Sequence, residues 1–411
     1  MKKLFILASV TAILLGLTAC DWVKNDYSAV KPHIEQTLPS TPESEEEPLP
    51  IVSNRNELRG AILSFIRNWT ERGEILVEKY DGDMNADLSE AIQYATKEDP
   101  IGAYAVDFAD AEFFGTEASG SITVSIVFRR SAAEINSIVT VNGNDSAYGK
   151  IQNVLVSYDT ALTLRIRNYE ETDFSAYISE YCMEHPDQVL AVPELSAQTY
   201  PEQGETRILE LHFSYPDTRD EMHLKQESVN TILSSASSYI SSGADDFEKV
   251  SLLYRFLCGR FSYTVAQEEP TMPAYNLLCD GLAHSRSFSS VFYVECTNSD
   301  IPCLLVSGTR GGKTHFWNMV CLNEQYYFVD LMRSIEQDEK EIHLLTAQEL
   351  MEAGYIWDSA SYPATPVLAT TADGETEPVH PSIAPETTLP TEPTQSSTEA
   401  DTGSSSGSEK N

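Results

Sequence analysis

The chain has 411 residues with 27 Lys+Arg against 63 Asp+Glu, a formal charge of −36, and a field of that sign repels polyanions, so nucleic acid is excluded as a partner. Apolar residues make up 41 % and charged ones 22 %, enough apolar material for one large core or two smaller ones, which excludes a wholly disordered chain. The single stretch long and apolar enough to meet a membrane lies at the N-terminus, which excludes a polytopic transporter.

That stretch reads as a signal peptide over residues 1–19. Lys2 and Lys3 form a basic start, Leu4 to Leu17 an apolar run too short to be a comfortable transmembrane helix, and small residues close it. Leu17-Thr18-Ala19-Cys20 resembles the bacterial lipobox, whose cysteine becomes the N-terminus and carries lipid. The resemblance implies that Cys20 is a lipidation site and that the protein is anchored to the bacterial cell membrane on its extracytoplasmic face. An ordinary cleaved signal with an incidental cysteine is the plainer alternative. Residues 20–50 are polar, acidic and Pro-containing, and read as a disordered tether.

The next elements alternate. Leu58, Ile62, Leu63 and Ile66 recur at helical spacing, Glu74 to Tyr80 and Ser121 to Phe128 are extended, Ala86 to Thr96 is helical, and Asn153 to Tyr169 alternates like a long exposed hairpin. Val141-Asn142-Gly143-Asn144-Asp145-Ser146 marks a turn. Asp173 to Glu184 is a helix and Arg207 to Tyr215 a strand. This is an α+β pattern without a chemical motif. Between the tether and a Thr/Pro/Glu/Ser-rich tail at 364–411, read as disordered, lie about 310 residues, twice the usual domain size. Two domains are therefore expected, an N-terminal α+β domain over 51–200 and a second over 201–363. Most of the acidity falls in this body, where it serves solubility or holds the body off anionic headgroups.

The second half opens with two helices, one capped by Asp217 or Thr218 and running to about Ile240, the other capped by Asp245 or Asp246 with Val250, Leu253, Tyr254 and Leu257 on one face. Ser285 then begins an amphipathic helix carrying Phe288, Val291, Phe292 and Cys296. Strands follow at Cys303 to Gly308, His315 to Val320 and Tyr326 to Val329. The order is a nucleophile position at a helix N-terminus, a histidine on one strand and a carboxylate, Asp330, on the next.

This region resembles the transglutaminase-like family, relatives of the papain-like cysteine peptidases. Ala274-Tyr275, Gly281, Ala283, Ile301-Pro302-Cys303, His315, Trp317, Asn318, Val320 and Val329-Asp330 match its pattern, over about 110 residues from Phe247 to Trp357. The resemblance implies a nucleophile-bearing helix packed on an antiparallel sheet, and catalytic roles at positions 285, 315 and 330. One position departs from the pattern: Ser285 stands where the family has its cysteine, and Ser287-Phe288-Ser289 replaces Gly-Tyr-Ala. Cys279-Asp280-Gly281-Leu282-Ala283 imitates the motif locally, but using it would put the thiol before the helix.

The exchange changes the chemistry. A helix N-terminus and a histidine draw a cysteine pKa of about 8.5 down to 7 or below, so a thiolate forms at rest. A serine hydroxyl cannot be ionised so, and reacts only if a histidine removes its proton during attack. Two readings stay open: a peptide- or protein-binding pseudoenzyme of the cell envelope, and a peptidase, amide hydrolase or acyl transferase using a Ser285-His315-Asp330 triad. A structural spacer is a third class, needing no cleft. His284 reads as an N-cap or surface residue, and Arg310 and Lys313 as a basic loop that either meets a carboxylate ligand or is a solvated hairpin tip. The six cysteines after Cys20 read as free and buried; with no CxxC pair and scattered histidines, neither a zinc site nor another cofactor is expected.

Overall fold

The computed structural model describes residues 48–366 except Glu117. The signal peptide, Cys20, nearly all of the tether and nearly all of the tail lie outside the described residues.

The first unit runs β1 (Ile51–Asn54), α1 (Arg55–Arg67), β2 (Arg72–Asp81), α2 (Met84–Gln93) with a π-helical extension Tyr94–Glu98, α3 (Pro100–Ala105), β3 (Val106–Thr116) and β4 (Ser119–Phe128). Asn54 starts α1 because its side chain accepts the amides of Asn56 and Glu57, both at 3.1 Å. Leu58, Ile62 and Ile66 then fall on one face, in a buried cluster with Met84 and Leu88 of α2 and Ile75, Val77, Ile122 and Val124 of the sheet. The sheet order is β1-β2-β4-β3, with β1 parallel to β2 and the other pairs antiparallel.

After α4 (Ala132–Asn136), a second unit repeats this topology: β5 (Val139–Asn142), α5 (Gly143–Ser157), β6 (Ala161–Arg167), α6 (Phe174–Glu184), β7 (Glu194–Tyr200) and β8 (Thr206–Ser214). Its order is β5-β6-β8-β7, again with the first pair parallel and the rest antiparallel. The hairpin expected over Asn153 to Tyr169 is instead the end of α5 and the strand β6. Ala147, Ile151, Val154 and Leu155 are buried at helical spacing, and Tyr158, with φ of 53°, ends the helix before the two-residue alternation of β6 begins. A short apolar run satisfies both periods, which is why the pattern misleads. The turn expected at residues 141–146 is likewise the end of β5 and the first residues of α5.

The boundary expected at residue 200 falls inside a β-hairpin. Strands β7 and β8 pair from Glu194↔Ser214 to Tyr200↔Ile208. The cores divide earlier: one cluster spans Val52 to Ile126, another Val141 to Leu344, so the second unit shares its interior with the C-terminal elements. Alternation shows that a strand is half-buried, never which sheet completes its core.

Those elements are α7 (Arg219–Ala236), α8 (Asp246–Arg260), β9 (Thr264–Val265), α9 (Pro273–Leu278), β10 (Leu282–Ala283), α10 (Ser285–Asn298), β11 (Cys303–Arg310), β12 (Lys313–Leu322), β13 (Gln325–Val329), α11 (Leu331–Gln337), α12 (Ala347–Glu352) and β14 (Tyr355–Ile356). Thr218 and Asp245 cap α7 and α8, each in a capping box. The sheet β13-β12-β11-β14 is antiparallel throughout, and α10 packs against β12, β11 and α8. Phe288, Val291, Phe292 and Cys296 are all 1 % exposed or less, so this helix is held by burial along nearly its whole length. The whole is α+β. Among the described residues no helix is long and apolar enough to cross a membrane.

Candidate functional site

The start of α10 is set by the chain just before it. Gly281 turns with φ of +70°, a backbone region where a side chain would be strained and where a Cβ would sit 2.8 Å from the Ser262 carbonyl oxygen. The two-residue strand β10 then pairs with β9 and delivers His284 as N-cap. Its Nδ1 accepts the Arg286 amide at 3.3 Å, and burial, chiefly, holds its pKa below the usual histidine value, so the ring is neutral and keeps the lone pair that capping needs. Ser285 is the first residue of the helix and 5 % exposed.

His315 lies on β12 opposite Gly308 of β11, and Asp330 follows β13 as the N-cap of α11. The strands bring them together: His315 Nε2 is 2.7 Å from Asp330 Oδ2. The Tyr355 hydroxyl donates to the same oxygen at 2.5 Å, and the Arg333 amide donates to Oδ1 at 3.1 Å. Burial pushes the Asp330 carboxyl up, yet hydrogen bonds from His315, Tyr355 and the Arg333 amide outweigh it and hold the group below the usual aspartate range. Asp330 is thus an ionised acceptor, and Tyr355, its own pKa raised by burial and by Asp330, remains a protonated donor. With Nε2 engaged, His315 has Nδ1 left for a proton transfer.

Helix and sheet meet at this point. The Ser289 hydroxyl donates to the Trp317 carbonyl oxygen at 3.3 Å and Asn318 Nδ2 to the Ser289 carbonyl oxygen at 2.9 Å. One helical turn earlier, the Arg286 guanidinium lies 5.4 Å from the centre of the Phe316 ring, so the residues following Ser285 and His315 stack on one another. Arg286 is also held by Glu269 at 2.8 Å and by the Ser179 hydroxyl of α6 at 3.0 Å. Among the described residues no hydrogen bond joins Ser285 to His315, and the latter is 8 % exposed.

Tyr355 is the site residue that sequence reasoning missed. It lies 25 positions after Asp330, and only the pairing of β14 with β11 brings it to the pair. That pairing is tight: a Cβ on Gly308 would stand 2.3 Å from the Ile356 carbonyl oxygen, so the strand's glycine admits the partner that carries Tyr355. The other residues singled out from the sequence fare differently. Arg310 is committed to Glu336 at 2.7 Å and to the Tyr355 ring, so it is no free basic tip; Gly311 and Gly312 form the turn, and Lys313 beside them is exposed. Cys279 ends α9, and burial with the neighbouring Asp280 raises its thiol pKa. All six described cysteines are free; Cys182, Cys296 and Cys303 are buried, while Cys279 is exposed. Among the described residues no cluster of three or more His, Cys, Asp or Glu side chains could hold a metal ion.

The chain thus places a hydroxyl at the first residue of α10 and a hydrogen-bonded imidazole–carboxylate pair on the elements that α10 packs against, the residue types of a nucleophile with its base and orienting group. Residues 234–331, from the last turn of α7 to the first residue of α11, match the model of the transglutaminase-like superfamily, and the chain contains a transglutaminase-like domain. A solved structure described as "Crystal structure of a TGase" is similar at 9 % identity over 51 % of this chain, with a TM-score of 0.23; the chain covers 60 % of that structure's length. No curated protein matches the chain.

Proposed function

We propose that the chain is a surface lipoprotein, held at the extracytoplasmic face of a bacterial cell membrane by lipid on Cys20, and that its transglutaminase-like domain binds a peptide or protein of the cell envelope without thiol chemistry. Ser285 holds the nucleophile's place in this reading. The observation that supports it most is the pairing of a serine at the first residue of α10 with a retained His315–Asp330 hydrogen bond: the orienting device is present and the ionisable sulfur is not. A serine oxygen reaches less far than sulfur and gains no resting charge from a helix N-terminus. One observation favours the second reading, a hydrolase or acyl transferase using Ser285, His315 and Asp330. The Tyr355–Asp330–His315 chain is more support than a bare remnant needs.

Ser285→Cys separates the two. If His315 and Asp330 face position 285, the new thiol is expected to react with iodoacetamide near neutral pH at least about tenfold faster than Cys279 in the same molecule, while wild type shows no turnover of glutamine- or amide-containing substrates. Steady turnover by wild type, lost in both Ser285→Ala and His315→Ala, would make the protein a serine enzyme. A thiol at 285 no faster than Cys279 would reduce the histidine and aspartate to structural residues.

A further inference from the structure

The two units before the transglutaminase-like domain share a topology, and the repeat leaves the same opening twice. In the first unit, α2 lies beside the edge strand β3, and a groove of about 590 Å³ opens between them, walled by Leu88 and Ile92 of the helix and by Asp110, Glu112, Phe113 and Phe114 of the strand. In the second unit, a groove of about 600 Å³ lies between the start of α6 and β7. The units differ in what covers the strand. Helix α3 of the first unit packs against β7 and β8, with Tyr104 and Ile208 in one buried cluster and Tyr200 packed against it. Strand β3 pairs with β4 alone among the described residues.

A strand edge of 11 residues presents a row of amides and carbonyls without a partner strand, which proteins ordinarily blunt with lysine, proline or a bulge; of these amides, that of Ala111 donates to Asp110 Oδ1 at 2.9 Å, a local bond that an added strand would displace. Here the one irregularity lies at the start, between Val106 and Phe108, and the strand Val-Asp-Phe-Ala-Asp-Ala-Glu-Phe-Phe-Gly-Thr holds no lysine or proline. Its two faces are chemically distinct. Ala109, Ala111 and Phe113 are half-buried and pack on the core beneath the helices, whereas Asp110 and Glu112 point the other way and are exposed. Among the described residues neither these two nor Asp107 forms an ion pair. Phe108 and Phe114, 59 % and 55 % exposed, stand at the two ends of this acidic segment.

We propose that the groove between β3 and α2 binds an extended basic peptide that adds to β3 as a further strand. Main-chain hydrogen bonds to the open edge supply a share of the affinity that does not depend on sequence. The faces supply the selection, because side chains of an added strand alternate: every second residue lies toward Leu88, Ile92 and Phe113 and must be apolar, and the residues between lie beside Asp110 and Glu112 and must be Lys or Arg. The ligand is therefore a segment of alternating apolar and basic residues, about five to seven long, matched to the strand by rise per residue.

The probe is an acetylated, fluorescein-labelled Val-Lys alternating heptapeptide, titrated against the full-length protein by fluorescence anisotropy. Saturable binding is expected, weakened about tenfold by Asp110→Lys with Glu112→Lys, which alters exposed side chains and leaves the thermal midpoint unchanged. N-methylation of alternate peptide amides, which removes donors to the edge without changing charge, is expected to weaken binding to the same degree. A Val-Glu heptapeptide is expected not to bind. Equal binding of the N-methylated peptide would reduce the effect to charge attraction and overturn strand addition. Equal binding to the charge-reversed protein would move the site elsewhere and overturn the assignment, as would self-association through β3, read as a concentration-dependent dimer in sedimentation that the same charge reversal dissolves.

Discussion

Asp330 ties the site together. Its carboxylate is 3 % exposed, accepts from His315, Tyr355 and the Arg333 amide, and by the last of these starts α11. Tyr355→Phe removes one donor from a buried anion and is expected to cost about 1–3 kcal/mol in urea unfolding. Asp330→Ala leaves two buried donors unpaired and strips a helix cap besides, so its cost is expected to exceed that of Tyr355→Phe by about 1 kcal/mol or more. Equal losses would mean that the phenol carries the aspartate's whole contribution. The sequence shows His315 and Asp330 because their spacing follows two consecutive strands and a motif. It hides Tyr355, since nothing local to residue 355 says which strand it will join.

Helix α10 carries a second buried acid. Glu295 is 1 % exposed, one carboxylate oxygen has no partner among the described residues, and burial alone pushes its pKa up to about 8. The folded state thus holds a proton that the unfolded chain releases at the ordinary glutamate pKa. The stability this contributes is complete below that value, falls as pH rises toward about 8 and is gone above it. Glu295→Gln, neutral at every pH, is expected to flatten this dependence and raise the thermal midpoint at pH 8.5 relative to wild type, with an effect on the order of a few kcal/mol. Parallel midpoint curves for the two proteins from pH 5 to 8.5 would place the carboxylate in contact with water or a counter-charge. At this scale the sequence shows the helix and its apolar face, and Glu295, seven residues after Phe288 and three after Phe292, falls within that face; only the tertiary packing decides that burial alone acts on its carboxyl.

At the scale of the whole molecule, the proposal that Cys20 carries the lipid anchor is tested by Cys20→Ala, which is expected to move the protein from the membrane fraction to the soluble one or to block its processing. A variant still lipid-modified and membrane-bound would remove the anchor from that residue. Ahead of the transglutaminase-like domain stand two units of one topology, the second sharing its core with that domain. The contacts of Arg286 and Ser290 with α6, to the Ser179 hydroxyl at 3.0 Å and the Met183 carbonyl oxygen at 2.5 Å, carry this union to the helix that begins with Ser285.

What the sequence determines by itself is local or motif-bound: the helices that start at Asn54, Asp173, Thr218 and Asp245, whose side chains satisfy free amides within three residues, and the helix–strand–strand order that sets positions 285, 315 and 330. The tertiary structure decides what depends on pairing between distant segments. It makes β7 and β8 one hairpin across residue 200, repeats the first sheet's topology in the second, brings Tyr355 to Asp330 and leaves β3 at an open edge. A strand's period tells which side chains share a face. Which strand lies beside it, and therefore which core it closes and which carboxylate it reaches, is settled only when burial and hydrogen bonding are satisfied across the whole chain at once.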